Sequence, residues 1–193
     1  MLQTRIPDFH QQVLAVNRVE RLLLKLTGAL DGAGIPYAII GGNAVAAWVA
    51  TVDEGAVRAT KDVDVLLRRA DLDAAAVALK QVSLDLHEVL GVPMFLTRRK
   101  PNPKTGAHVV FAAERVREHD LHPCPDVSEA KRSKYGFWVV DLPWLIRMKL
   151  TAFRRVDQLH IEDMMHLGLI NDRIVDSLPP DLRNRFDQIR ATE

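Results

Sequence analysis

Tyr37-Ala38-Ile39-Ile40-Gly41-Gly42-Asn43-Ala44-Val45-Ala46-Ala47-Trp48-Val49-Ala50, followed by Arg58-Ala59-Thr60-Lys61-Asp62-Val63-Asp64-Val65-Leu66-Leu67, is the stretch that decides the fold. Residues 37–40 form a short apolar run, long enough for a buried strand. A glycine pair follows at once, and residues 43–50 read as a helix. Residues 58–61 lead into a second strand over 62–67. The glycines let the backbone approach phosphate oxygens, and the helix start offers N–H groups and a positive dipole end. Residues two apart on a strand share a face, so Asp62 and Asp64 can converge on one cation. Strand, glycine turn, helix and Asp-x-Asp strand together make a device for holding a triphosphate and a metal.

Upstream, residues 9–30 predict a helix, with Val13, Val16, Val19, Leu22, Leu23 and Leu26 near a 3.6-residue period. Gly32 and Gly34 stop it, and Pro36 forbids re-entry. Downstream, residues 71–82 predict an alanine-rich helix with Asp71 as its acidic cap. Residues 84–90 and 92–97 predict strands around Gly91, 98–106 a polar loop, and 108–112 a further strand. Residues 118–133, with Pro123 and Pro125, read as irregular, and 135–140 as an edge strand. After Pro143 the pattern turns helical over 144–155 and 158–167, with Gly168 as a stop and a last amphipathic helix over 181–191. The expected fold is α+β with an α/β-like core: a mixed sheet flanked by helices, with a C-terminal helical part. The expected division is a core with its N-terminal helix at 1–142 and a helical segment packed on it at 143–193.

The chain has 193 residues, 48% hydrophobic and 26% charged, which is ordinary globular composition and argues against disorder. A net charge of +1 gives no whole-molecule argument for nucleic-acid binding. Local basic candidates are Arg98-Arg99-Lys100 and Lys131-Arg132. The single cysteine, Cys124, excludes an internal disulfide, suits a reducing compartment and reads as inert. With a polar start and no apolar stretch near the ~20 residues of a membrane span, the expectation is a cytoplasmic protein.

Residues 39–67 resemble the minimal nucleotidyltransferase motif of polymerase-beta-like enzymes, in which a Gly-Gly or Gly-Ser pair precedes an Asp-x-Asp strand. The fuller string from Ile40 to Asp64, with Leu145-Ile146-Arg147-Met148-Lys149-Leu150-Thr151-Ala152-Phe153-Arg154-Arg155-Val156-Asp157 and Asp163, resembles the abortive-infection (AbiEii-like) and related bacterial nucleotidyltransferases. The resemblance implies a nucleotidyltransferase-type fold, a nucleoside triphosphate (NTP) substrate and Mg²⁺; Mn²⁺ enters as an alternative ion only if His108 is a ligand. It implies Asp62 and Asp64 as catalytic metal ligands and a catalytic lysine, Lys149, on a helix after the sheet. Gly41, Gly42, Asn43, Arg58 and Thr60 are the expected nucleotide-binding residues. For Arg58 and Lys61 an ordinary solvated basic face competes with phosphate contact, and Thr60 also suits a strand approach. Lys149, Phe153, Val156, His160 and Asp163 would share one face of a continuous helix. A lysine there needs an anion, either phosphate or Asp62, Asp64 or Asp163, unless its stem snorkels the charge to water. Asp157 would lie on a neighbouring face, beside Arg154 or Arg155.

The chain departs from the resembling families on the strand at 108–112, where active members carry a third carboxylate. His108 stands there, read as a strand-end residue facing solvent, with metal ligation as the alternative. Glu88, Glu114 and Asp141 are further candidates for the acid. His119-Asp120-Leu121-His122-Pro123-Cys124 lacks a matched second pair for structural zinc. Trp48, Trp138 and Trp144 read as core or interface residues.

The leading functional expectation is transfer of a nucleoside monophosphate to a protein hydroxyl, a tRNA end or a small molecule. The resemblance adds a role as a toxin or phage-defence component with a cognate antitoxin or other partner protein. The alternative is a catalytically weakened module of the same fold that binds a nucleotide or partner. A phosphatase using the same Asp pair has no nucleophile motif behind it.

Overall fold

The structure, a computed structural model, describes residues 9–192. The expectations for the first residues and for the Val13 side chain lie outside what it describes. The chain runs α1 (Phe9–Gly32), β1 (Ala38–Ile40), α2 (Gly41–Val49), β2 (Val63–Leu67), α3 (Leu72–Gln81), β3 (Leu84–Val89), β4 (Val92–Thr97), β5 (Ala107–Phe111), β6 (Ala130–Arg132), β7 (Trp138–Val140), α4 (Leu142–Ala152), α5 (Arg155–His166), α6 (Asp172–Asp176) and α7 (Pro180–Arg190). Among the described residues the strands form one seven-stranded sheet in the order β3-β4-β5-β2-β1-β7-β6. The pairs β2–β5 and β1–β7 are parallel and the others antiparallel. The fold is therefore α+β on a mixed sheet.

The centre of the sheet is buried on both faces, since Val63, Val65, Leu66 and Leu67 are all inaccessible. That burial explains why β1 and β2 read as apolar runs rather than alternating strands. α1 packs on α3 and β2, while α2, α4, α5 and α7 form a second, mutually packed helical group. Leu26, Leu30, Ile39, Leu66, Leu145 and Leu150 knit both groups into one core. The β3–β4 hairpin turns through Leu90 and Gly91, both at positive φ (52° and 79°), as a two-residue turn matching the strand twist requires. No helix among the described residues is long and apolar enough to cross a membrane.

Several local expectations are corrected. Residues 130–132 are a strand, and β6 rather than β7 is the sheet edge. β6 carries Ala-Lys-Arg, which has no apolar alternation to read, and only its backbone pairing with β7 makes it a strand. Val16 is 43% exposed, outside the core stripe of α1. Asp71 precedes α3 but makes no side-chain cap, because a tight turn over Arg69–Asp71 already runs into the helix. α6, unread in the sequence, is a short helix whose N-terminus Asn171 caps through Ile174 N (3.1 Å).

The helices after Pro143 are also redrawn. α4 begins at Leu142, where the Asp141 carboxylate accepts from the Leu142 N–H (2.8 Å). It ends at Ala152 because Phe153 adopts the left-handed conformation (φ 50°, ψ 26°). Tertiary contacts hold this non-glycine residue there. Arg185 of α7 donates to the carbonyls of Leu150 and Thr151 (both 2.7 Å) and lies over the Phe153 ring. Those carbonyls are helix-end acceptors that need partners.

Candidate active site

The sheet register assembles the acidic end of the site. Ile40 at the end of β1 lies opposite Asp64 of β2, and Asp64 lies opposite His108 of β5. Partners in adjacent strands present side chains on the same face, so the glycine pair, Asp64 and His108 form a row. Asp62, two residues before Asp64, joins that face. Donor atoms of Asp62, Asp64 and His108 all lie within 4.8 Å of one another. His108 Nδ1 is 3.2 Å from Asp64 Oδ1 and 3.8 Å from Asp62 Oδ2.

Gly41 and Gly42 open α2, whose start carries no side-chain cap. Gly41 has φ +67°, and a Cβ there would overlap the Asp64 carboxylate. A Cβ on Gly42 would come 2.7 Å from Thr60 Cγ2. Gly41 is thus favoured both by its positive φ and by the close approach of Asp64, whereas Gly42 leaves room for the Thr60 side chain. Asn43 ties the two segments together: Nδ2 donates to the Asp62 carbonyl (2.7 Å), and Oδ1 accepts from Thr60 Oγ1 (3.0 Å). These bonds commit Asn43 to the scaffold, whereas Thr60 also lines the cavity.

The cavity in front of this row has a volume of about 580 Å³, within the ~300–1,000 Å³ of small-molecule sites. Gly41, Gly42, Asp62, Asp64 and His108 line it from the sheet side, and Lys149, Arg154, Asp157, His160 and Asp163 from the helices, with the Arg154 charge reaching Asp62 and Asp64. Val45, Val49, Val110 and Met148 supply apolar wall. Burial, and then the neighbouring Asp64, raises the Asp62 carboxyl above its ordinary range. The hydrogen bond to Asp64 raises the His108 imidazole, outweighing burial. His108 therefore does not face solvent as a strand-end bystander; it turns into the acidic pair.

The helical side differs from the one-helix expectation. With the break at Phe153, Lys149 and Asp157 fold together at 2.8 Å. On a continuous helix, eight residues would separate them by ~12 Å along the axis. Asp157 Oδ2 also accepts from Arg154 Nε (2.7 Å) and from the Arg154 backbone N–H (3.3 Å). Burial would raise the Asp157 carboxyl, but Arg154 and Lys149 together hold it below its usual range. The partner of Lys149 is thus Asp157, not Asp62, Asp64 or Asp163. Asp163 instead holds Arg58 through a two-toothed contact (2.5 and 2.9 Å). His160 is pushed down to about 4, by burial first and by the Lys149 charge second, so it is neutral. Its Nδ1 has no hydrogen-bond partner among the described residues.

The other acids considered from the sequence lie elsewhere. Glu114 pairs with Arg69, Asp141 pairs with Lys131 besides capping α4, and Glu88 is exposed on β3. Within the basic runs, Arg98 pairs with Asp85 and Arg132 with Asp31. His122 pairs with Asp181 (2.8 Å), and burial pushes the Cys124 thiol up to about 12, leaving it protonated. Trp48 donates to the Val140 carbonyl and Trp144 to Glu129. Arg154 is the cavity residue the sequence reading missed, since nothing in the local pattern marks the break that aims it inward.

No protein-family model matches the chain, and no curated protein matches its sequence. Solved structures do. An antigenic nucleotidyltransferase-like protein from Paracoccidioides brasiliensis superimposes with a TM-score of 0.57 at 15% identity, covering 92% of this chain and 89% of that one. ANT(2'')-Ia in complex with adenylyl-2''-tobramycin gives 0.55 at 16% identity, covering 87% and 96%. Likeness at this identity defines the fold: a nucleotidyltransferase-type mixed sheet flanked by helices.

Proposed function

We propose that the chain is a metal-dependent nucleotidyltransferase that moves a nucleoside monophosphate from an NTP to an acceptor hydroxyl. The observation that carries this reading is the meeting of Asp62, Asp64 and His108 beside the Gly41-Gly42 start of α2 in a nucleotide-sized cavity. Two carboxylates and an imidazole are a competent donor set for a divalent cation. When bound, such a cation neutralises charge developing on phosphoryl oxygens. The remaining work belongs to the chain's own groups. The glycine pair admits phosphate oxygens close to backbone N–H groups. Lys61 and Arg154 supply cations to the phosphates, with Arg154 held in place by Asp157 and Asp157 by Lys149. Lys149 acts in this reading as a positioning residue behind Arg154. Val45, Val49 and Met148 offer apolar surface to the base or acceptor.

The structure of ANT(2'')-Ia holds an adenylylated tobramycin, which supports adenylate transfer to a small-molecule hydroxyl as the first chemistry to try. A protein or tRNA hydroxyl, and a toxin or phage-defence setting, are narrower versions of the same proposal. A second reading, a binding module of weakened activity, is favoured by one observation: β5 places His108 rather than a carboxylate beside Asp64.

The test is incubation with each α-labelled NTP, Mg²⁺ or Mn²⁺, and cell extract. Label transferred to an acceptor, and lost in Asp62→Asn with Asp64→Asn, is the expected result. Metal-dependent NTP binding without transfer supports the binding module. Absence of both binding and transfer overturns the nucleotide reading.

A further inference from the structure

We infer that His108 is a direct metal ligand that biases the site toward Mn²⁺ over Mg²⁺. The inference deepens the proposed function and rests on it only for the presence of a divalent cation. Three observations lead to it.

The first is positional. Asp64 and His108 are register partners in the parallel β2–β5 pair, so one strand pairing puts both on the cavity face. The second is atomic. Nδ1 is the histidine atom that approaches both carboxylates, at 3.2 Å from Asp64 and 3.8 Å from Asp62. All three side chains stay partly open, at 29%, 29% and 45% exposure, so an ion can reach them from the cavity. The third is elimination. The other acids lining the cavity are already engaged: Asp157 by Lys149 and Arg154, Asp163 by Arg58, and Asp120 by the Arg117 N–H. Among the described residues, Asp62, Asp64 and His108 make the one cluster whose donor atoms meet closely enough to share an ion.

Donor chemistry then sets the preference. Mg²⁺ demands hard oxygen ligands and keeps its waters, whereas imidazole suits transition metals. Replacing one oxygen donor by nitrogen therefore penalises Mg²⁺ more than Mn²⁺. A competing account makes His108 only an ion-pair partner that calms two adjacent carboxylates. The two accounts differ in whether nitrogen touches the ion.

The experiment uses Mn²⁺ and Mg²⁺ as probes on the full chain without nucleotide, by calorimetric titration and by pulsed electron paramagnetic resonance of bound Mn²⁺. Wild type, His108→Asn and His108→Asp are compared, each checked for an unchanged melting transition and circular dichroism. Wild type should show nitrogen modulation from a coordinated imidazole, and both variants should lack it. His108→Asp should narrow the ratio of Mn²⁺ to Mg²⁺ affinity by about tenfold. His108→Asn, which keeps size without a ring nitrogen, should weaken Mn²⁺ more than Mg²⁺. Mn²⁺ bound without nitrogen modulation, an unchanged affinity ratio in the variants, or no Mn²⁺ binding at all overturns the inference. Label transfer with Mg²⁺ in the preceding assay would leave the nucleotidyltransferase reading standing even then, so the two failures are distinguishable.

Discussion

On the sheet side of the cavity, Asp62, Asp64 and His108 keep 45%, 29% and 29% of their side chains exposed; on the helical side, Lys149 and Asp157 keep 6% and 1%. Both clusters line one cavity, yet their charges are balanced differently. In the helical cluster the buried Lys149 and Asp157 charges face each other, and the half-exposed Arg154 is held by Asp157 while its charge also reaches Asp62 and Asp64. The sheet cluster crowds two carboxylates against one imidazole, with the Arg154 charge nearby, and burial together with Asp64 still raises the Asp62 carboxyl. Buried charges must be compensated inside the fold, because desolvation is otherwise too costly. Half-open charges can be left for a ligand to compensate. The contrast separates a buried, internally paired cluster from a half-open one, and it can be broken at several points.

The largest effect on stability is expected from Asp157→Ala. It strands the Lys149 ammonium in the interior, and removing one partner of a buried pair costs about 3 kcal/mol or more. Urea denaturation should show this loss. Lys149→Met should cost less, since Asp157 keeps Arg154 and the methionine fills the space; equal losses would mean that Arg154 contributes nothing.

Gly41→Ala should come next, at about 1–3 kcal/mol for forcing an alanine into φ +67°. Its added methyl also displaces the Asp64 carboxylate, so divalent-ion affinity should fall together with the melting temperature. A variant of unchanged affinity would show that Asp64 is not tied to the glycine turn.

A smaller effect concerns pH. His160 is held at about 4 in the fold, below the ~6.5 of an unfolded histidine. As pH falls from about 6.5 toward 4, the unfolded chain takes up a proton that the folded chain refuses. Stability is therefore present above that window and lost through it. His160→Gln should flatten the stability profile across the window, measured by denaturation at each pH. Asp157, whose pKa is depressed, adds its own loss at lower pH, so the comparison with wild type must be made pH by pH.

The smallest loss of stability, and under the proposed function the largest loss of activity, is expected from substitution of Asp62 and Asp64. Asp62→Asn with Asp64→Asn removes the burial and crowding of charge that raise the Asp62 carboxyl, so the variant should unfold no more easily than wild type. Metal-dependent nucleotide binding, followed by calorimetry, should disappear. A large destabilisation would place this pair in the scaffold and erase the contrast with Lys149 and Asp157.

The amino-acid sequence by itself determined the elements that depend on neighbours in the chain. An apolar run followed by Gly-Gly marks a strand turning into a helix, because only glycine accepts the positive φ and close approach found at Gly41. The two-residue spacing of Asp62 and Asp64 pointed to one face, although Asp62 lies in the bend just before β2 and its approach to Asp64 is set by the fold. The β3–β4 hairpin was legible from Gly91, and α4, α5 and α7 from their apolar period, though neither the break at Phe153 nor α6 was. Tertiary structure decided what meets across distance. Whether His108 faces solvent or Asp64 depends on a parallel pairing between residues 44 positions apart, which no local pattern encodes. The Lys149–Asp157 pair exists because contacts from α7 hold Phe153 in a left-handed conformation that its residue type disfavours. Arg58 finds Asp163 across 105 positions by the same rule: local chemistry selects the elements, and their packing selects the partners.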